Sequence, residues 1–213
     1  MNRCRSAERN ANVIMDRKSS YLSRNSITLA VSTFCIVLAS VQPVLARPAE
    51  VILLRHAEKP FDEFNVHLSA TGRERARALV KFFTTTPALT TNGPPVALFA
   101  TRPVSHGKSQ RPQDTLKPLA KHLKLHILIP CTAAEYAALA KKVLDDPAYD
   151  GKTVVICWVH DYLPQLAEEF GVQPRPASWK STVFDRVWVI AYRGEKALLT
   201  SLPQELLPGD SLR

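Results

Sequence analysis

Ala49-Glu50-Val51-Ile52-Leu53-Leu54-Arg55-His56 (residues 49–56) is an apolar run that ends in an arginine and a histidine. Ala49–Leu54 (AEVILL) is a short apolar, β-branched run without alternation, which predicts a strand covered on both faces. Arg55 and His56 follow it directly, so two chemistry-bearing side chains stand at the carboxyl end of a buried strand. In an open α/β sheet that edge is where ligand crevices form.

Working outward, residues 57–68 predict a polar, Pro-containing loop. Ser69 opens a helical pattern through Phe83, with Leu68, Ala76, Leu79, Val80 and Phe83 apolar and Arg73, Arg75, Arg77 and Lys81 on the solvent side. Residues 84–95 (TTTPALTTNGPP) predict a loop, and Val96–Ala100 a second strand. A helix follows over Arg111–Lys124, with Pro112 in its first turn. Leu125–Ile129 predicts a third strand, Ala133–Leu144 a helix and Thr153–Trp158 the most apolar strand. Leu163, Leu166, Ala167 and Phe170 make a short helix closed by Gly171. After a Pro-rich loop (residues 173–182), Arg186–Tyr192 and Ala197–Ser201 predict a C-terminal hairpin. Strands alternating with helices indicate a three-layer α/β/α sandwich whose central sheet is mostly parallel.

The chain has 213 residues, 28 Lys+Arg against 19 Asp+Glu, and a formal charge of +9. Residues 1–25 are basic, Asn25–Ala46 carries no charge, and Val44-Leu45-Ala46 offers small residues to a signal peptidase. Residues 1–46 are therefore expected to be a signal peptide cleaved after Ala46, or an N-terminal anchor, with residues 47–213 as one periplasmic or secreted domain. The leader holds six of the basic and two of the acidic residues, so the 167 residues that follow carry 22 against 17, a net of +5. That charge suits an anionic substrate and excludes a nucleic-acid binder. Of the four cysteines, Cys131 and Cys157 remain, open to a disulfide or, for Cys157, to a simple role as a small buried apolar group.

Three segments lie just beyond predicted strand ends: Arg55-His56, the stretch from Thr101 to Thr115 with Arg102, Lys108 and Arg111, and His160-Asp161. Two histidines with two or three guanidiniums in one crevice suggest phosphate chemistry, because arginine presents a permanently charged fork that matches phosphate oxygens. His67, His122 and His126 have no metal-ligand spacing, so no zinc site is expected.

Leu54-Arg55-His56-Ala57-Glu58-Lys59 resembles the Arg-His signature of the histidine phosphatase superfamily, the phosphoglycerate-mutase-like fold. Leu68-Ser69-Ala70-Thr71-Gly72 is similar to its L-(S/T)-x-x-G element. Arg111-Pro112-Gln113-Asp114-Thr115 resembles its second-arginine segment, and Thr153–His160 its strand ending in the second histidine. Phe184–Trp188 resembles a late strand of small members. The resemblance implies a nucleophilic His56, phosphoryl oxygens held by Arg55 and Arg111 with help from His160, and no metal or other cofactor. Pro112 and Asp114 depart from the commoner residues of the second-arginine segment, which leaves Arg102 as an alternative to Arg111. Arg102, Glu135 and Lys108 are candidate substrate contacts.

The general acid is open. Asp161 is the first candidate, unless it caps the following helix; Glu135 is second and Glu58 third. Trp179 either lines the pocket mouth or packs. The expected activity is an exported, metal-independent phosphatase acting on a phosphorylated small molecule or phosphopeptide. The alternatives are a catalytically weak phospho-ligand-binding protein and a phosphoglycerate-mutase-type phosphotransferase. Membrane contact is expected only through an uncleaved leader.

Overall fold

The structure, a computed structural model, describes residues 47–62, 64–104 and 110–211. The expected leader over residues 1–46 and Lys108 lie outside the described residues. The elements are β1 (Glu50–Arg55), α1 (Ala70–Thr85), α2 (Pro87–Thr90), β2 (Ala97–Ala100), α3 (Arg111–Leu123), β3 (Ile127–Leu128), α4 (Tyr136–Asp145), β4 (Thr153–Trp158), α5 (Leu163–Glu169), β5 (Arg186–Arg193) and β6 (Lys196–Pro203). Single 3-10 turns at Pro147–Tyr149 and His160–Tyr162 precede β4 and α5.

One six-stranded sheet runs in the order β3-β2-β4-β1-β5-β6. β3, β2, β4 and β1 are mutually parallel, whereas β5 and β6 form the antiparallel hairpin, with Leu54 of β1 opposite Val187 of β5. The expected three-layer sandwich is the observed one. Every residue of β1 is buried, and its side chains alternate between two cores. Val51 and Leu53 pack with Phe99, Ile156, Trp158 and the inward faces of α4 and α5. Ile52 and Leu54 pack with Leu98, Val155 and the inward faces of α1 and α3. A run apolar at both parities is what this arrangement requires, since each parity feeds one helical layer.

Local departures from expectation have local causes. Ser69 caps α1 by accepting from the Gly72 amide at 3.0 Å, as its type predicts. The helix runs to Thr85, and Thr84 and Thr85 turn their hydroxyls back onto the preceding turn. Pro87–Thr90 is a helical turn, not loop; Pro at its start supplies the right φ and Leu89 buries fully against the α1/α3 core. β3 is two residues, not five. Lys124 adopts a left-handed conformation (φ 57°) and the Leu125 amide donates to Ala120, so this segment is used in ending α3. Arg75 is a correction of another kind. It was placed on the solvent side of α1, yet it is buried beside Leu79 and Phe82.

Cys131 and Cys157 are both buried and unpaired, and burial pushes the Cys157 thiol well up, so it behaves as a small apolar group. No helix among the described residues is long and apolar enough to cross a membrane.

Candidate active site

The crossovers after β1 and β4, with the approach to β5, bring the key residues to one edge of the sheet. Arg55 ends β1 and His56 follows it; both are buried, with the His56 amide donating to Trp158 of β4 at 3.1 Å. Because β5 runs antiparallel beside β1, residues 181–184 arrive directly against Arg55. Its Nη1 donates to the Ser181 and Val183 carbonyls, and the Phe184 ring lies 3.9 Å from its guanidinium carbon. Arg55 Nε is buried with no hydrogen-bond partner among the described residues. Burial lowers the Arg55 pKa to about 10, against the charges of Asp161 and Glu58.

His56 has a defined tautomer. Its Nδ1 lies 2.7 Å from the Ala57 carbonyl, which can only accept, so Nδ1 carries the proton and Nε2 keeps its lone pair. Burial pulls its pKa down to about 4; the bond to Ala57 works the other way, and the charges of Arg55, Arg111 and His160 push further down. A neutral imidazole with a free Nε2 lone pair among cationic groups can act as a nucleophile toward an anion held there. The loop carrying it is fixed from α3: the Ala57 amide donates to Thr115 Oγ1 at 2.9 Å, and that hydroxyl donates to Arg111 O at 2.8 Å.

Arg111, at the first position of α3, is held by the Asn65 and His67 carbonyls and acts electrostatically on both Arg55 and His56. Arg102 instead pairs with Glu135 at 3.4 Å beyond the end of β2, two strand positions from β1. The geometry thus gathers Arg55, His56, Arg111 and His160, and sets Arg102 and Glu135 apart as a pair of their own. Asp114 bonds Lys117 and His67, and Pro112 is buried at the helix start, which accounts for both unusual residues of this segment.

His160 is half-buried; burial lowers its pKa, Arg55 and Lys59 add to this, and Asp161 opposes it. The Asp161 carboxylate lies 3.3 Å from His160 Nε2 and makes no capping bond to α5, so the capping alternative fails. Glu135 accepts from the Thr132 amide and hydroxyl, and these bonds lower its pKa, which fixes it as a carboxylate. Glu58 is engaged with Arg75. Of the three acid candidates, Asp161 alone is engaged with a member of the cationic cluster, His160. Trp179 is buried against Trp188, with ring centroids 4.7 Å apart, so it packs rather than lining the mouth.

Three parts of the site escaped the sequence reading. Phe184 covers Arg55, although the stretch containing it was noted only for its strand. The Thr115 hydroxyl braces the loop that carries His56. Arg75 donates to Glu58, Gln204 and Asp210, joining the nucleophile loop to the C-terminal segment. A signal for Arg75 did exist: it precedes Leu79 by four residues and Phe82 by seven, which is the spacing of an inward stripe.

Neither family models nor curated proteins give a match to the chain. Solved structures do share its fold. A mycobacterial glucosyl-3-phosphoglycerate phosphatase in complex with VO3 matches over 71% of this chain and 97% of its own, at 12% identity and a TM-score of 0.50. A phosphoglycerate mutase from Bacillus anthracis matches over 74% and 93%, at 11% identity and a TM-score of 0.51. The fold is therefore the phosphoglycerate-mutase-like α/β fold.

Proposed function

We propose that the protein is a phosphatase of the histidine phosphatase superfamily, exported by its leader, that hydrolyses phosphomonoesters through a phosphohistidine on His56 without a metal. The observation that carries this reading is His56 itself: buried, neutral, with Nδ1 protonated against Ala57 and charged Arg55 and Arg111 around it. The likeness in fold to a phosphatase and a mutase of phosphorylated small molecules supports it.

In the first step the His56 Nε2 lone pair attacks phosphorus. The Nε2–P bond forms as the ester P–O bond breaks, and the leaving oxygen takes a proton from Asp161. Arg55, Arg111 and His160 hold the three remaining oxygens and stabilise charge developing there, which is typically the largest catalytic contribution. Water then attacks phosphorus and gives its proton to the Asp161 carboxylate. The N–P bond breaks, phosphate leaves and neutral His56 returns. The cationic cluster supplies the charge neutralisation a metal would otherwise give.

Incubation with an aryl phosphate and a chelator tests the reading. Turnover should survive chelation and disappear in His56→Ala, and Asp161→Asn should slow alkyl phosphates more than aryl ones, whose leaving groups need less protonation. Phosphate binding without turnover in the unaltered protein would instead favour the phospho-ligand-binding alternative.

A further inference from the structure

Seven large apolar side chains are exposed among the described residues, and five of them stand at one end of the sheet. Phe61 and Phe64, on the loop after β1, are 104% and 95% exposed. Val104 follows β2, while Leu128 ends β3 and Ile129 follows it. Since β1, β2, β3 and β4 are parallel, this is the edge that carries Arg55, His56 and His160. Of the other two, Val96 precedes β2 and Leu198 lies on the edge strand β6. Exposed apolar residues scattered singly need no explanation; their collection at one edge of the sheet does.

The loop bearing the two phenylalanines is anchored to the site at both ends. The Ala57 amide donates to Thr115 Oγ1, and the Asn65 and His67 carbonyls accept from Arg111. Phe61 and Phe64 lie between these two anchors, at the rim of the cationic cluster. None of the five side chains carries a hydrogen-bonding group, and all of them cover methylene groups well. From β1 to β3 the edge spans three strand spacings, roughly 14 Å, enough to follow an extended alkyl chain.

Resting on the phosphatase reading above, we propose that the rim of Phe61, Phe64, Val104, Leu128 and Ile129 holds the apolar alcohol of the ester, and that the substrate class is phosphomonoesters of long-chain alcohols. The cationic cluster takes the phosphate and the rim takes the chain.

Calorimetric titration with butyl, hexyl, octyl and decyl phosphonates below their micelle concentrations tests this, because the C–P bond withstands hydrolysis and binding is read without turnover. Affinity should rise about twofold for each methylene, the value for one that is half covered. The decyl-to-butyl ratio should fall at least severalfold in Phe61→Ser/Phe64→Ser. Equal affinities along the series, or a ratio unchanged in the variant, would overturn the proposal. So would a flat series combined with variant-sensitive binding to phosphatidylcholine vesicles, which would make the rim a bilayer contact. Inorganic phosphate is titrated alongside: if it binds and the series is flat, only the rim proposal fails, whereas absence of phosphate binding contradicts the phosphatase reading as well.

Discussion

At the scale of single residues, the account rests on His56 being neutral because it is buried among cations. This has a consequence for stability. The folded-state pKa of about 4 lies below the ordinary histidine value of 6.5, so between these values the unfolded chain takes up a proton that the folded one does not. The stability this provides is complete above pH 6.5 and is lost as pH falls through 4. A shift of this size corresponds to about 3 kcal/mol. Urea unfolding at pH 7 and pH 4 should show the unaltered protein losing about 3 kcal/mol more than His56→Asn, which has no such proton to take up. Equal losses would mean that His56 is not held neutral. Residue identity was the most legible level of the site. Arg55, His56, Arg111 and His160 were all named from motif and strand position. Arg102 and Glu135 were named for the same reason and proved to pair with each other, because a loop position after a strand does not fix which way a long side chain reaches.

At the scale of elements, α1 positions the nucleophile loop by backbone contact. The Ser69 amide donates to Glu58 O at 3.0 Å, and a Cβ on Gly72 would stand 2.4 Å from the same oxygen. The close approach leaves room for hydrogen only, and the obstacle is backbone, which cannot swing aside. Gly72→Ala should therefore cost about 1–3 kcal/mol in chemical denaturation and displace Glu58, lowering kcat/KM although residue 72 does not touch substrate. A fully active, equally stable variant would contradict this packing. Elements themselves were readable wherever the hydrophobic pattern was long: β1, β4 and α3 were expected nearly to the residue. The short pieces were not. α2 and the 3-10 turns are too brief for any period to show, and β3 was shortened by the cap of α3, which only backbone conformation reveals.

At the scale of the molecule, the C-terminal segment closes back on the nucleophile loop through one buried arginine. Arg75 makes paired bonds to Asp210 and to Glu58, with Gln204 also accepting, so residues distant in sequence meet beside Ala57. Burial alone would raise the Asp210 carboxyl, but Arg75 and the Leu206 and Leu207 amides outweigh it and hold it down to about 2. Arg75→Met would leave two carboxylates half-buried without their cation, at a cost of about 3–5 kcal/mol measured by denaturation. A loss under about 1 kcal/mol would show that the tail is not locked by this residue. Sequence could not display such a link, because its partners come from a loop, a helix and a tail with no shared period. The three-layer architecture, by contrast, followed from the order of strands and helices alone.

In the proposed reaction phosphate passes covalently through His56. Mixing the protein with substrate, quenching in base within milliseconds and mapping peptides by mass spectrometry tests it most directly. One phosphoryl group is expected on the peptide containing His56, stable in base, released in acid and absent from His56→Ala. Turnover of the substrate with no phosphoryl group ever found on His56 would contradict it.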